Sequence, residues 1–256
     1  KFDSLIGVST KARNYFKQES MLPNQPSVVI PNSIDKSKFQ SSHITPEEKE
    51  EIRAKYGIKA DEMFMLFVGR IGEEKRVLEL LEVCKEAYSK NNKCKMVFIG
   101  DGPAFAEMKE KAEKECQPGS VTFAGFVEWT QVHKYYESAD LFVTCSLSEM
   151  HSMTILEAQL SGLPMVVRKD ESYFDSIFDG QNGYLCDTEK EMVSKILELA
   201  DNSEERLAFG KKSLEITKNF SIETHVKRTI KVYEEVLKAY PNKIDDAVVQ
   251  REVENL

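Results

Sequence analysis

The feature that most constrains this chain is a regular alternation of short apolar runs with amphipathic segments of helix length. The run Phe64-Met65-Leu66-Phe67-Val68 contains no polar residue. A strand with one face in water alternates apolar and polar side chains, so an unbroken apolar run predicts a strand covered on both faces, as in a parallel sheet. Further strands are expected over 4–9, 27–30, 95–99, 121–123, 141–145, 164–167 and 183–185. Helices are expected over 11–19, 46–56, 76–89, 104–116, 131–138, 154–161, 190–200, 204–218 and 221–240. Strand–helix–strand alternation argues for an α/β fold with a doubly wound parallel sheet.

Composition narrows the class further. Forty-one per cent of the 256 residues are hydrophobic and 30% charged, which excludes disorder as the main state. With 35 Lys+Arg against 43 Asp+Glu the net charge is −8, a balance unsuited to generic nucleic-acid or anionic-membrane binding by this stretch. No apolar run approaches the roughly 20 residues of a membrane-spanning helix. The five cysteines (84, 94, 116, 145 and 186) are widely spaced, which fits reduced thiols in a cytoplasmic protein, and the four histidines are scattered, so no metal site is expected.

Four segments are expected along the chain. Residues 1–40 hold too little structure to fold alone, and a start at Lys1 suggests a cut or processed end. Residues 41–220 form the main domain. The capping box Thr45-Pro46-Glu47-Glu48 opens a charged, solvated helix that Gly57 stops. Residues 221–240 form a long amphipathic helix with apolar Val226, Ile230, Val232, Tyr233, Val236 and Leu237, ended by Pro241. Residues 241–256 read as a tail, either helical or loose.

Three constellations carry candidate chemistry. The first is Gly69-Arg70-Ile71-Gly72-Glu73-Glu74-Lys75, directly after a buried strand. Ligands of open α/β sheets bind at the carboxyl ends of strands, and Arg70 with Lys75 suits a phosphate, the one as a fork and the other as a point charge. The second is the glycine turn Gly100-Asp101-Gly102-Pro103, where glycine permits close backbone approach. The third runs from Ser146 to Ala158, with Glu149 in a loop and Glu157 two turns into the following helix. The N–H groups near Ser152, Met153 and Thr154 open that helix and suit a diphosphate, and Glu157 suits a vicinal diol such as a ribose. Each has a plain alternative: loop cations, a strand-to-helix turn, and surface acids, one of them beside a helix N-terminus.

Taken together, in this order, these motifs resemble the group 1 glycosyltransferases, a retaining family of GT-B fold. The resemblance also draws on Val8-Ser9, Ile30-Pro31-Asn32-x-Ile34-Asp35, Val121-x-Phe123-x-Gly125 with Val127, Ala139-Asp140-Leu141-Phe142-Val143, Gly162-Leu163-Pro164 and Asp179-Gly180-x-Asn182-Gly183. It covers roughly residues 1–240. It implies a Rossmann-like donor domain, the C-terminal half of a GT-B enzyme, with a UDP-sugar such as UDP-glucose as its partner and no separate cofactor or metal. Arg70 and Lys75 would hold the diphosphate and stabilise the leaving nucleotide. Glu149 would orient the sugar, so these three are the expected catalytic residues. Gly69, Gly100 and Gly102 would line the donor site, Phe126 and Val127 would lie against the base, Ser152, Met153 and Thr154 would cap the distal phosphate, and Glu157 would take the ribose.

The family commonly has glycine where Ser152 stands; a serine there still offers its amide and adds a hydroxyl contact, or its β-carbon narrows the pocket and weakens binding, and the sequence leaves both open. A retaining transfer of this kind needs no acid–base group from this domain, so His151 is not expected to be catalytic. The pattern Ser148-Glu149-x-x-x-Met153-Thr154-x-x-Glu157-Ala158 is similar to the bacterial diacylglycerol glucosyltransferase branch, which implies glycolipid synthesis. The acceptor, a membrane lipid in that reading, would be met through a missing N-terminal domain, with the full enzyme cytoplasmic or peripheral on the inner membrane face. The 256 residues are expected to bind the donor without efficient transfer. The alternatives are a non-catalytic nucleotide-sugar-binding or regulatory module, and another GT-B enzyme such as an epimerase or a phosphorylase. A phosphorylase would need a lysine carrying pyridoxal phosphate, and nothing marks one.

Overall fold

A computed structural model describes residues 3–19, 24–39 and 43–256. The expected boundary between residues 40 and 41 lies outside the described residues. The chain opens with β1 (Leu5–Gly7), α1 (Thr10–Glu19), β2 (Ser27–Val29), α2 (Lys36–Phe39) and α3 (Pro46–Lys55). It continues through β3 (Met63–Val68), α4 (Val77–Lys90), β4 (Cys94–Ile99), α5 (Phe105–Glu115), β5 (Val121–Gly125) and α6 (Trp129–Ser138). Then come β6 (Leu141–Thr144), α7 (Met153–Leu160), β7 (Met165–Arg168), β8 (Gly183–Cys186), α8 (Glu189–Asp201) and α9 (Ser203–Thr217). The helices α10 (Ile222–Ala239) and α11 (Asp246–Glu254) follow.

The six strands β3–β8 form one parallel sheet in the order β5-β4-β3-β6-β7-β8. This is the doubly wound, Rossmann-like arrangement, in which the strand order reverses between β3 and β6. The apolar run of β3 explains its central place. Phe64 and Leu66 project into the core beneath α6 and α7, and Met63, Met65 and Phe67 into the opposite core beneath α4, α5 and α8. Both faces are therefore dry, as the unbroken run requires.

Element ends follow local chemistry. At α3, Thr45 Oγ1 accepts from Glu48 N at 3.2 Å and Glu48 Oε2 accepts from Thr45 N at 3.0 Å, so the capping box forms. The expectation that this helix is merely solvated fails at Arg53, which is 7% exposed. Its guanidinium donates to Asp140 Oδ2 at 2.9 Å and to the carbonyls of Ser138, Lys59 and Glu62, anchoring α3 to the start of β3 and β6.

A smaller core lies at the other end of the molecule. β1 and β2 form a separate two-stranded parallel sheet. Val28 and Ile30 pack with Val232 of α10 and with Ile244, Val249 and Val253. The expected tail is thus a packed helix, α11, whose Val249 and Val253 are 4% and 1% exposed. The apolar residues of α10 divide between two faces. Val232 and Val236 face this core, while Ile222, Val226, Ile230, Tyr233 and Leu237 form an exposed stripe at helical spacing. Among the described residues no helix is long and apolar enough to cross a membrane.

Candidate functional site

The carboxyl ends of β3, β4 and β5 and the N-terminal turn of α7 converge beside the switch point. They enclose a cleft of about 480 Å³ lined by Gly69, Arg70, Gly100, Phe126, Val127, Trp129, Thr154 and Glu157, among others. Seven residues singled out by sequence thus share one cleft. Lys75, Gly102, Glu149, Ser152 and Met153 do not line it.

Two glycine turns build its floor. Gly69 N donates to Ile99 O at 3.0 Å, and Ile71 N donates to Asp101 O at 3.0 Å. The loops after β3 and β4 therefore lie against each other as an extension of the sheet. A β-carbon on Gly100 would overlap Gly69 O, and one on Gly102 would overlap Ile71 O. The glycines let backbone meet backbone, which leaves Arg70 projecting with its side chain 65% exposed.

Lys75 and Glu149 are 74 positions apart in sequence and form an ion pair, Nζ to Oε1. Ser146 Oγ also donates to Glu149 Oε1 at 3.0 Å, and Tyr173 OH fixes the Ser146 carbonyl at 2.9 Å. The loop after β6 thus holds Glu149 facing the loop after β3. Lys75 ends a single 3₁₀ turn, Glu73–Lys75, and Arg76 follows with φ 53°, a non-glycine residue of positive φ that turns the chain into α4.

Glu157 lies about one turn from the start of α7, which begins at Met153, and not two turns into the helix as expected. It is 6% exposed. Trp129 Nε1 donates to its Oε1 at 3.0 Å and Tyr136 OH to its Oε2 at 2.9 Å. Burial pushes its carboxyl upward from the usual carboxylate range, while the two donors act in the opposite sense. Neither Trp129 nor Tyr136 was singled out by sequence. Both lie on α6, and their contact with Glu157 is a tertiary one that no local spacing encodes; the only available signal was that Trp129 is the single tryptophan.

Ser152 is 7% exposed and precedes α7, its hydroxyl 3.0 Å from Thr154 Oγ1. Its side chain is thereby engaged within its own turn, while the first N–H groups of α7 lack intrahelical acceptors, as in any helix. His151 is buried, with Nε2 3.3 Å from Ser176 Oγ and its ring 5.7 Å from that of Phe220. Burial lowers its pKa to about 4, with Asp175 acting weakly in the opposite sense, so it is neutral at pH 7. It sits behind the loop and does not line the cleft.

A parallel sheet of this order, with a polar-rimmed cleft at its switch point, defines a Rossmann-like ligand-binding domain. The sequence profile of the glycosyl transferases group 1 matches residues 48–215, and the chain belongs to that family. It is 29% identical over 205 residues to the alpha-monoglucosyldiacylglycerol synthase of Acholeplasma laidlawii, covering 80% of this chain and 52% of the relative. It is 33% identical over 170 residues to the Streptococcus pneumoniae protein of the same name, covering 66% of this chain and 38% of the relative. The chain thus spans about half, or less, of these relatives' length. Among solved structures, Anabaena HepE in complex with UDP-glucose superposes with TM-score 0.75 at 18% identity, over 90% of this chain and 63% of that one. The pneumococcal O-GlcNAc transferase GtfA in complex with UDP and GlcNAc gives 0.71 at 24%, over 92% and 45%. These neighbours share the fold of GT-B glycosyltransferases.

Proposed function

We propose that these residues form the donor half of a retaining hexosyltransferase that takes a UDP-sugar, UDP-glucose foremost, and glucosylates diacylglycerol. The observation that carries this reading is the buried Glu157 carboxylate at the wall of the switch-point cleft, with Arg70 on the same cleft and with Lys75, from the same loop as Arg70, paired to Glu149. Glu157 accepts the two ribose hydroxyls. The base lies against Phe126 and Val127. Arg70, Lys75 and the first amides of α7 hold the diphosphate, and the two cations stabilise negative charge as the nucleotide leaves. Glu149 accepts from sugar hydroxyls and shares Lys75 with the phosphate. The lipid acceptor is supported by the names of the two relatives described above, both alpha-monoglucosyldiacylglycerol synthases.

The acceptor site, in this proposal, belongs to sequence beyond these residues, since the matched stretch makes up 52% and 38% of the two relatives. The exposed stripe of α10 packs against that part. The test is a product assay: the protein at the full length of its relatives, given UDP-glucose and diacylglycerol, yields a glucosyl lipid, whereas the 256 residues alone bind UDP-glucose with negligible turnover. No glycolipid from the longer protein refutes the acceptor, and full turnover by the 256 residues refutes the division of labour.

A further inference from the structure

Trp129 belongs to none of the motifs that mark the family resemblance, yet it is built into the site. It opens α6, and Tyr136 lies two turns later on the same helix. The two side chains reach one carboxylate, each donating to a different oxygen of Glu157. They differ in surroundings. Tyr136 is fully buried, edge-on to Phe39, whereas Trp129 is 45% exposed, with one side packed 5.9 Å from the Phe39 ring and the rest lining the cleft.

A carboxylate has about four acceptor positions, two on each oxygen. The Trp129 and Tyr136 donors occupy one on each, leaving one on each. A vicinal diol needs just that pair, at the spacing of the two oxygens and in their plane. A carboxylate free to rotate would meet the diol in many orientations, and fixing it in advance removes that ordering cost from binding. Tyr136 alone holds one oxygen and permits rotation about that contact; the second donor fixes the plane.

We propose that Trp129 is a positioning residue for nucleoside recognition: its indole N–H sets the Glu157 carboxylate in the plane that receives the ribose diol of a nucleoside diphosphate. This rests on the reading of Glu157 as the ribose acceptor. Because Trp129 acts through the diol, its contribution vanishes for a nucleotide without one. Because it is the single tryptophan, its emission reports the event directly.

The test compares UDP with 2′,3′-dideoxyuridine 5′-diphosphate, titrated by calorimetry into the unmodified chain and into Trp129→Phe, which keeps an aromatic ring and loses the N–H. The unmodified chain binds UDP more tightly than the dideoxy compound. Trp129→Phe weakens UDP about tenfold, the loss expected for a hydrogen bond to a charged group, and leaves the dideoxy compound unchanged. An equal loss for both nucleotides, or none for either, overturns the inference while leaving the ribose reading intact. Equal affinity of the unmodified chain for the two nucleotides overturns the ribose reading and the inference with it. Should Trp129→Phe unfold, tryptophan emission of the unmodified chain decides. A shift with UDP and little with the dideoxy compound at saturation supports the role; equal shifts, or none, overturn it.

Discussion

Lys75 and Glu149 are held together by the fold, so each affects how the other meets a donor. Lys75→Ala removes a charge-assisted contact worth about 1.5–3 kcal/mol, and UDP affinity should fall by roughly tenfold or more in calorimetry. Glu149→Ala separates the roles of the pair. It leaves UDP affinity unchanged or raised, because Lys75 is released, and it abolishes any advantage of UDP-glucose over UDP. Loss of UDP binding in Glu149→Ala would contradict its assignment to the sugar. His151 bears on stability instead. Its folded pKa, about 4, lies below the ordinary 6.5, so the unfolded chain takes up a proton first as pH falls. Its stabilising contribution is complete above about pH 6.5 and is lost as pH falls toward 4. Between pH 7 and 5.5 this costs about 1 kcal/mol. Urea unfolding of His151→Gln should show that much less pH dependence than the unmodified chain, and identical dependence would contradict the assignment. At this scale the sequence displayed Arg70, Lys75, Glu149 and Glu157 through their places relative to strand ends. It hid Trp129, because a contact across 28 positions leaves no local pattern.

The elements themselves were more legible. Buried strands and capped helices write their rules into neighbouring residues: the apolar run of β3, the capping box of α3 and the glycine turns all appear where local chemistry demands. Gly100 illustrates how far such a signal extends. Its place after a strand suggested a ligand-facing turn, and Gly100 does line the cleft, but its lack of a side chain is also required by the contact with Gly69, at φ 135°. Gly100→Ala therefore combines backbone strain with overpacking and should destabilise by roughly 2–4 kcal/mol. Gly57→Ala, with φ 67° and nothing within 4 Å of the added carbon, incurs only the strain, about 1–2 kcal/mol. Urea midpoints for the two variants check the contrast, and equal losses would contradict the loop-on-loop account. The α11 helix was half-legible: Val249 and Val253 lie four apart, but nothing local says that β2 and α10 await them. The two faces of α10 were likewise merged into one apolar list, because a period of 3.6 shows that faces exist and not which partner each meets.

For the whole molecule, the alternation of strands and helices indicated the doubly wound class, while the strand order came only with the tertiary structure. That order matters most for function, since it places the reversal between β3 and β6 and so gathers loops from residues 69, 100, 126 and 154 around one cleft. The sheet covers both its faces with helices, but α10 leaves an apolar stripe in water, with Leu237 75% exposed. The proposed role as the donor half of a two-part enzyme would account for both the cleft and the exposed stripe. The most direct measurement is a calorimetric titration of these 256 residues with UDP, repeated on Arg70→Ala and Glu157→Ala. The account predicts saturable one-to-one binding that weakens about tenfold or more in each variant. No saturable binding by the unmodified chain, or affinity untouched by both changes, would contradict it.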